Sequence, residues 1–182
     1  MLSSGSGSTG GGVAALVGAG RDSHPFGRTS PNEEPRSYWS GVVASTWWFY
    51  LTGECTNEAW VAYLKHCEAM LDSGMEHPAI IYLAHRAQPP TGDQRRLMGD
   101  FIAAESQRLR ALTGFVLVLD SPLHIMALKA INWLVKKPFP ETVCGTPGAA
   151  AVWLRQRGAP IDPATLMRAL RKTVPAEHMW IS

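Results

Sequence analysis

The chain has 182 residues and a formal net charge of +2, with 17 Lys and Arg against 15 Asp and Glu. That near-balance lacks the clustered cations of a nucleic-acid binder, and the pairs Arg95-Arg96, Lys136-Lys137 and Arg171-Lys172 read as scattered solvated faces. Its three cysteines, Cys55, Cys67 and Cys144, are odd in number and without a CxxC spacing, which argues against a disulfide framework and for reduced thiols in the cytoplasm.

Residues 1–36 are rich in Gly, Ser and Pro. Such a segment buries too little apolar surface to offset chain entropy, so a flexible tail is expected. Gly5-Ser-Gly-Ser-Thr-Gly10 matches GxGxxG by letter only, because no strand precedes it. The apolar stretch Val13–Ala19 lacks a basic segment before it and is not read as a signal peptide. Apolar runs elsewhere fall short of the ~18 residues a membrane span needs, so no membrane insertion is expected.

A single domain is expected over 37–175, with a C-terminal tail at 176–182. Its length of about 140 residues is ordinary for one core. Tyr38 to Leu51 is aromatic and β-branched, which is β territory. It reads as one long bent strand or as a hairpin breaking near Ala44-Ser45. Thr56 then caps a helix running to about Ser73, with Gly74 as its stop. Trp60, Tyr63, Leu64, Cys67, Met70 and Leu71 recur at helical spacing and predict its buried face.

Ala79–Ala84 is the next apolar strand. Thr91 or Asp93 caps a second helix, about 92 to 111. Phe115–Leu119 is an unbroken apolar run, the pattern of a strand covered on both faces. It runs into Asp120-Ser121-Pro122 and an apolar helix to about Lys136, with Pro122 suited to its first turn. A short edge strand is expected over Phe139–Cys144, because Pro140 interrupts it. A helix capped by Thr146 and a last helix from Asp162-Pro163 follow. The order β(β)αβαβαβαα predicts an α/β fold: a mixed, mostly parallel sheet of four to five strands with helices packed on it.

In that order, 47–158 resembles the bacterial STAS/Sec14-like group, which includes the anti-sigma-factor antagonists. The resemblance is carried by Leu51-Thr-Gly-Glu54, Thr56-x-x-x-Trp60, Pro89-Pro-Thr-x-x-Gln94-Arg95 and the strand entering Ser121. Ala130-Ile-Asn-Trp133 and Ala150-x-x-Trp153-Leu154 complete it. The resemblance implies a non-enzymatic cytoplasmic module that binds another protein. In the antagonist branch a Ser or Thr near a helix start is phosphorylated by a partner kinase, and Ser121 stands at a similar place. The group's Asp-Ser-Ser-Gly-Leu signature is absent, since this chain reads Asp120-Ser-Pro-Leu-His124.

The candidate regulatory or interaction residues are therefore Asp120, Ser121, His124 and Ile125, with His85 and Arg86 at the end of a neighbouring strand. A strand's carboxyl end meeting a helix start is where open α/β sheets bind ligands. Asp120 or Ser121 serving simply as a helix cap is the plainer reading. No triad geometry, GxSxG elbow or HxxxH spacing is present, so no catalytic residue, metal or cofactor is assigned. The expected partner is a protein, with self-association as an open outcome and no nucleic acid. The alternatives are a carrier of an apolar ligand or lipid beneath the 123–135 helix, and a small enzyme of undetermined reaction.

Overall fold

The computed structural model describes residues 38–119 and 137–179. They form an α/β fold built on one five-stranded sheet, with neighbours in sequence order β1-β2-β3-β4-β5. The strands are β1 (Tyr38–Val43), β2 (Thr46–Gly53), β3 (Ala79–Ala87), β4 (Gly114–Leu119) and β5 (Glu141–Cys144). Strand β1 pairs antiparallel with β2, and β2 to β5 are mutually parallel. The helices are α1 (Asn57–Asp72), α2 (Gly92–Ala104), α3 (Ser106–Leu109), α4 (Pro147–Arg155) and α5 (Pro163–Thr173).

The aromatic segment at 38–53 is a hairpin, not one bent strand. Its turn is Ala44-Ser45, with Ala44 at φ 52°. Ser45 ties the turn to the chain before β3: its Oγ donates to the carbonyl of His77, and its own carbonyl accepts from Ala79 N. A left-handed conformation at alanine is costly, whereas glycine adopts it freely. Ala44→Gly is therefore expected to stabilise the fold by about 1 kcal/mol. A thermal melt with a higher midpoint checks it.

Period-two alternation divides the core between the two sheet faces. Trp48, Tyr50, Ile81, Leu83, Val116 and Val118 point one way, under Ala150, Leu154, Leu166 and Leu170 of α4 and α5. Phe49, Leu51, Ile80, Tyr82, Leu117 and Leu119 point the other way. They meet Trp60, Tyr63, Cys67 and Met70 of α1, with Ile102 and Leu109. Each β-α-β step from β2 to β4 moves one strand along in the same direction. Crossovers of one hand then leave α1 and α2 on one face. The chain after β5 is left to cover the other.

The capping expectations hold at Thr56, Thr146 and Asp162, whose side chains accept from Ala59 N, Ala149 N and Thr165 N. Of the two candidates for α2 the cap is Thr91, in a capping box with Gln94. The second helix is shorter than expected. It breaks at Glu105 (φ −96°, ψ 10°), and α3 is a separate turn.

Two surface expectations change. Lys137 is not on a solvated face: its side chain is only 14% exposed and pairs with Glu141, with Nζ 2.5 Å from Oε2. Arg108 stays exposed, as expected, and bridges Asp72 of α1 and Glu105. Residues 176–179, expected to belong to a loose C-terminal tail, do not fray. A 3-10 turn at Ala176–His178 docks on the sheet, where Tyr50 Oη donates to the His178 carbonyl at 2.5 Å. Among the described residues no helix is long and apolar enough to cross a membrane.

Candidate functional site

Strands β2 to β5 are parallel, so their carboxyl ends gather along one edge of the sheet. Gly53, Ala87, Leu119 and Cys144 end them. Helices α1 and α2 begin at the same edge, directly after β2 and β3. Such an edge collects loops and helix N-termini, which makes it the natural ligand-facing side of an open sheet.

His85 and Arg86 stand there. Thr52 pairs with His85, but the next β2 residue, Gly53, pairs with Ala87. Arg86 is the extra residue of this bulge, held at φ 50° with its side chain exposed. Beyond it the ladder closes again, with Gln88 N donating to the Gly53 carbonyl at 2.7 Å. A bulge re-aims the side chain it carries. Arginine in the left-handed region costs energy that glycine would avoid. Sequence reading placed His85-Arg86 at a strand end but showed no sign of the bulge, because neither residue is a turn former.

His85 lies half-buried on the α4/α5 face. Its ring is 6.5 Å from that of Tyr50. Trp39 packs 6.1 Å from Tyr50 and 5.2 Å from the His178 ring. The C-terminal turn, the first strand and His85 thus form one aromatic group at this edge. Asp120, Ser121, His124 and Ile125 lie outside the described residues. Strand β4 ends at that edge, where its last residue, Leu119, is level with Ala84 of β3.

The loop after β2 is fastened to the start of α2. Gln94 is buried, and its Nε2 donates to the Cys55 carbonyl at 2.8 Å and to Asn57 Oδ1 at 3.1 Å. The same side chain's Oε1 accepts from Thr91 N at 3.0 Å. Two helix starts are therefore locked together by one amide. This contact had no sequence signal beyond the capping box itself.

The buried titratable groups are pushed toward their neutral forms. Burial raises the Cys55 thiol to about 11 and the Cys67 thiol to about 12. Thiols in that state are weak nucleophiles. Cys67 lies in the core, as its helical position predicts. Burial also raises the Tyr63 and Tyr82 phenols well above their usual value. It lowers His66 to about 4. His66 was not singled out by its position in the chain, yet it is a buried imidazole, 4.5 Å from the Trp47 ring.

Among the described residues no group of three or more His, Cys, Asp or Glu could hold a metal ion. A shallow depression runs along the outer side of α1, lined by Asn57, Glu58, Val61, Ala62 and Lys65. Only two of these, Glu58 and Lys65, are charged. No family model matches the chain, and no curated protein is significantly similar to it.

Proposed function

We propose that this domain is a non-enzymatic regulatory or scaffold module of STAS/Sec14-like layout, acting in a bacterial cytoplasm. It binds another protein at the carboxyl edge of its sheet. The contact runs over His85 and Arg86 and takes in Asp120, Ser121, His124 and Ile125. The observation that carries this reading is Arg86: an exposed cation in a left-handed conformation at the extra residue of a bulge. Strain of this kind persists where the neighbouring structure over-determines it, and such positions cluster at functional sites. Arginine is also enriched at protein contacts, where its planar fork and long stem serve both polar and apolar partners. The neutral, buried state of Cys55, Cys67, Tyr63 and Tyr82 fits packing better than acid–base work.

The test is cross-linking of the full chain in extract of its source cells, followed by affinity capture. Wild type is compared with Arg86→Gly and Ile125→Asp. Arg86→Gly removes the side chain and also relieves the backbone strain, so the variant is expected to melt at or above the wild-type temperature. Loss of the captured partner from a variant of equal or greater stability is the expected result. Partners unchanged in both variants remove this surface from consideration.

A further inference from the structure

The outer edge of β1 carries a second, separate surface. We propose that β1 pairs antiparallel with β1 of a second copy of this chain, joining two five-stranded sheets into one ten-stranded sheet about a twofold axis.

The edge is open among the described residues: β1 pairs only with β2. Natural sheets guard such edges with charged side chains, proline or a bulge. Tyr38-Trp-Ser-Gly-Val-Val43 has no charge and no proline, and its register with β2 is unbroken over all six residues. Val42 is 42% exposed. An uncharged strand meets its own copy without like-charge repulsion.

The hairpin sets which groups face outward. Val43 and Thr46 flank a two-residue turn, so they form the hydrogen-bonded pair that closes it. Alternation then directs the backbone groups of Trp39, Gly41 and Val43 toward β2. Those of Tyr38, Ser40 and Val42 point outward.

A twofold axis normal to the sheet keeps each face continuous, so opposed residues must lie on the same face. Trp39 packs with Tyr50 on one face, and Tyr38 stacks on Phe49 on the other. One register satisfies both conditions and uses all three outward residues. Ser40 lies opposite Ser40 of the second copy, Tyr38 opposite Val42, and Trp39 opposite Gly41. Tyr38 with Val42 is an aromatic–β-branched cross-strand pair, a favourable type. Trp39, the largest side chain of the strand, lies opposite the residue with none. The strand is thus complementary to itself in hydrogen bonding, charge and side-chain size.

The experiment is sedimentation of the full chain over a concentration series, with wild type, Val42→Lys and Ser40→Pro. Wild type is expected to reach twice the 19.8 kDa chain mass. Both variants are expected to stay at the single-chain mass with unchanged far-UV circular dichroism. Lysine at 42 adds an edge charge, and proline at 40 removes only an outward N–H. The register is read separately by oxidising single-cysteine additions under mild conditions. Ser40→Cys is expected to form an interchain disulfide, because antiparallel partners lie about 5 Å apart, within disulfide reach. Tyr38→Cys alone is expected to form none, since its own copy is four residues away along the strand. A wild type that is monomeric at every concentration overturns the proposal. So does a dimer that survives Val42→Lys, or one that cross-links through residue 38 and not through residue 40.

Discussion

Gly114→Ala is expected to destabilise the fold by about 2 kcal/mol, while Gly99→Ala is expected to stabilise it by about 1 kcal/mol. The two glycines differ in what a methyl group would meet. Gly114 opens β4 beneath α4. A Cβ there would lie 2.6 Å from Trp153 Cζ3 and 2.9 Å from Leu154 Cδ2. Neither neighbour yields easily. Leu154 is fully buried, and the Arg157 guanidinium lies 3.9 Å over the Trp153 ring. The helix must lift or the ring must turn, and overpacking of this kind costs ~1–3 kcal/mol. The lower backbone entropy of alanine in the unfolded chain offsets less than 1 kcal/mol of it. Gly99 lies within α2, and among the described residues nothing is within 4 Å of its added methyl. Only helix propensity acts there, and it favours alanine. Urea midpoints for both variants decide the matter. Shifts in the same direction would show that α4 does not press on β4 as described.

The second large effect is a loss of stability in mild acid that traces to one imidazole. His66 is 8% exposed on α1, against the Trp47 ring, and its Nε2 has no hydrogen-bond partner among the described residues. Burial lowers it to about 4 from the ordinary 6.5, with the backbone of Trp48 opposing weakly. Between those two values the unfolded chain binds the proton and the folded chain does not. Stability therefore rises with pH across that window. The contribution is complete above about pH 6.5 and is lost as the pH falls toward 4. Its size is about 3 kcal/mol, from about 1.4 kcal/mol for each unit of displacement. His66→Leu removes the titrating group and keeps an apolar side chain. The expected result is a shallower fall in unfolding free energy from pH 7.5 to 4.5 in the variant than in wild type. Equal slopes would mean that His66 is hydrated or already protonated in the fold.

How much of this could be read from residues alone follows from which signals are local. Phe115–Leu119 and Ala79–Ala84 are continuous apolar runs, and such runs are legible because strands buried on both faces need no polar alternation. Thr56, Thr146 and Asp162 are legible as caps because a cap acts within four residues of chain. The strand order is not legible, since nothing local says which strand sits beside which. The extension of β3 through His85-Arg86-Ala87 was missed because polar residues at a strand end look like a loop. Lys137 reads as surface until Glu141 stands beside it. Tyr50 reads as one more core aromatic until the C-terminal turn arrives to accept its hydroxyl.

The candidate site divides in the same way. Its location at the carboxyl edge follows from strand–helix alternation, which is a local pattern. The conformation that singles out Arg86 depends on a register slip between two strands some thirty residues apart in the chain, which no local pattern records.

Site-specific photo-cross-linking shows whether this edge meets another protein. A photoreactive residue is placed at position 86 in one full-length sample. In another it is placed at Glu76, which is exposed in the loop leading into β3 at the opposite edge of the sheet. One adduct of constant mass, other than twice the chain itself, is expected from position 86 and none from position 76. An adduct from 76 with none from 86 would rule this edge out as the contact.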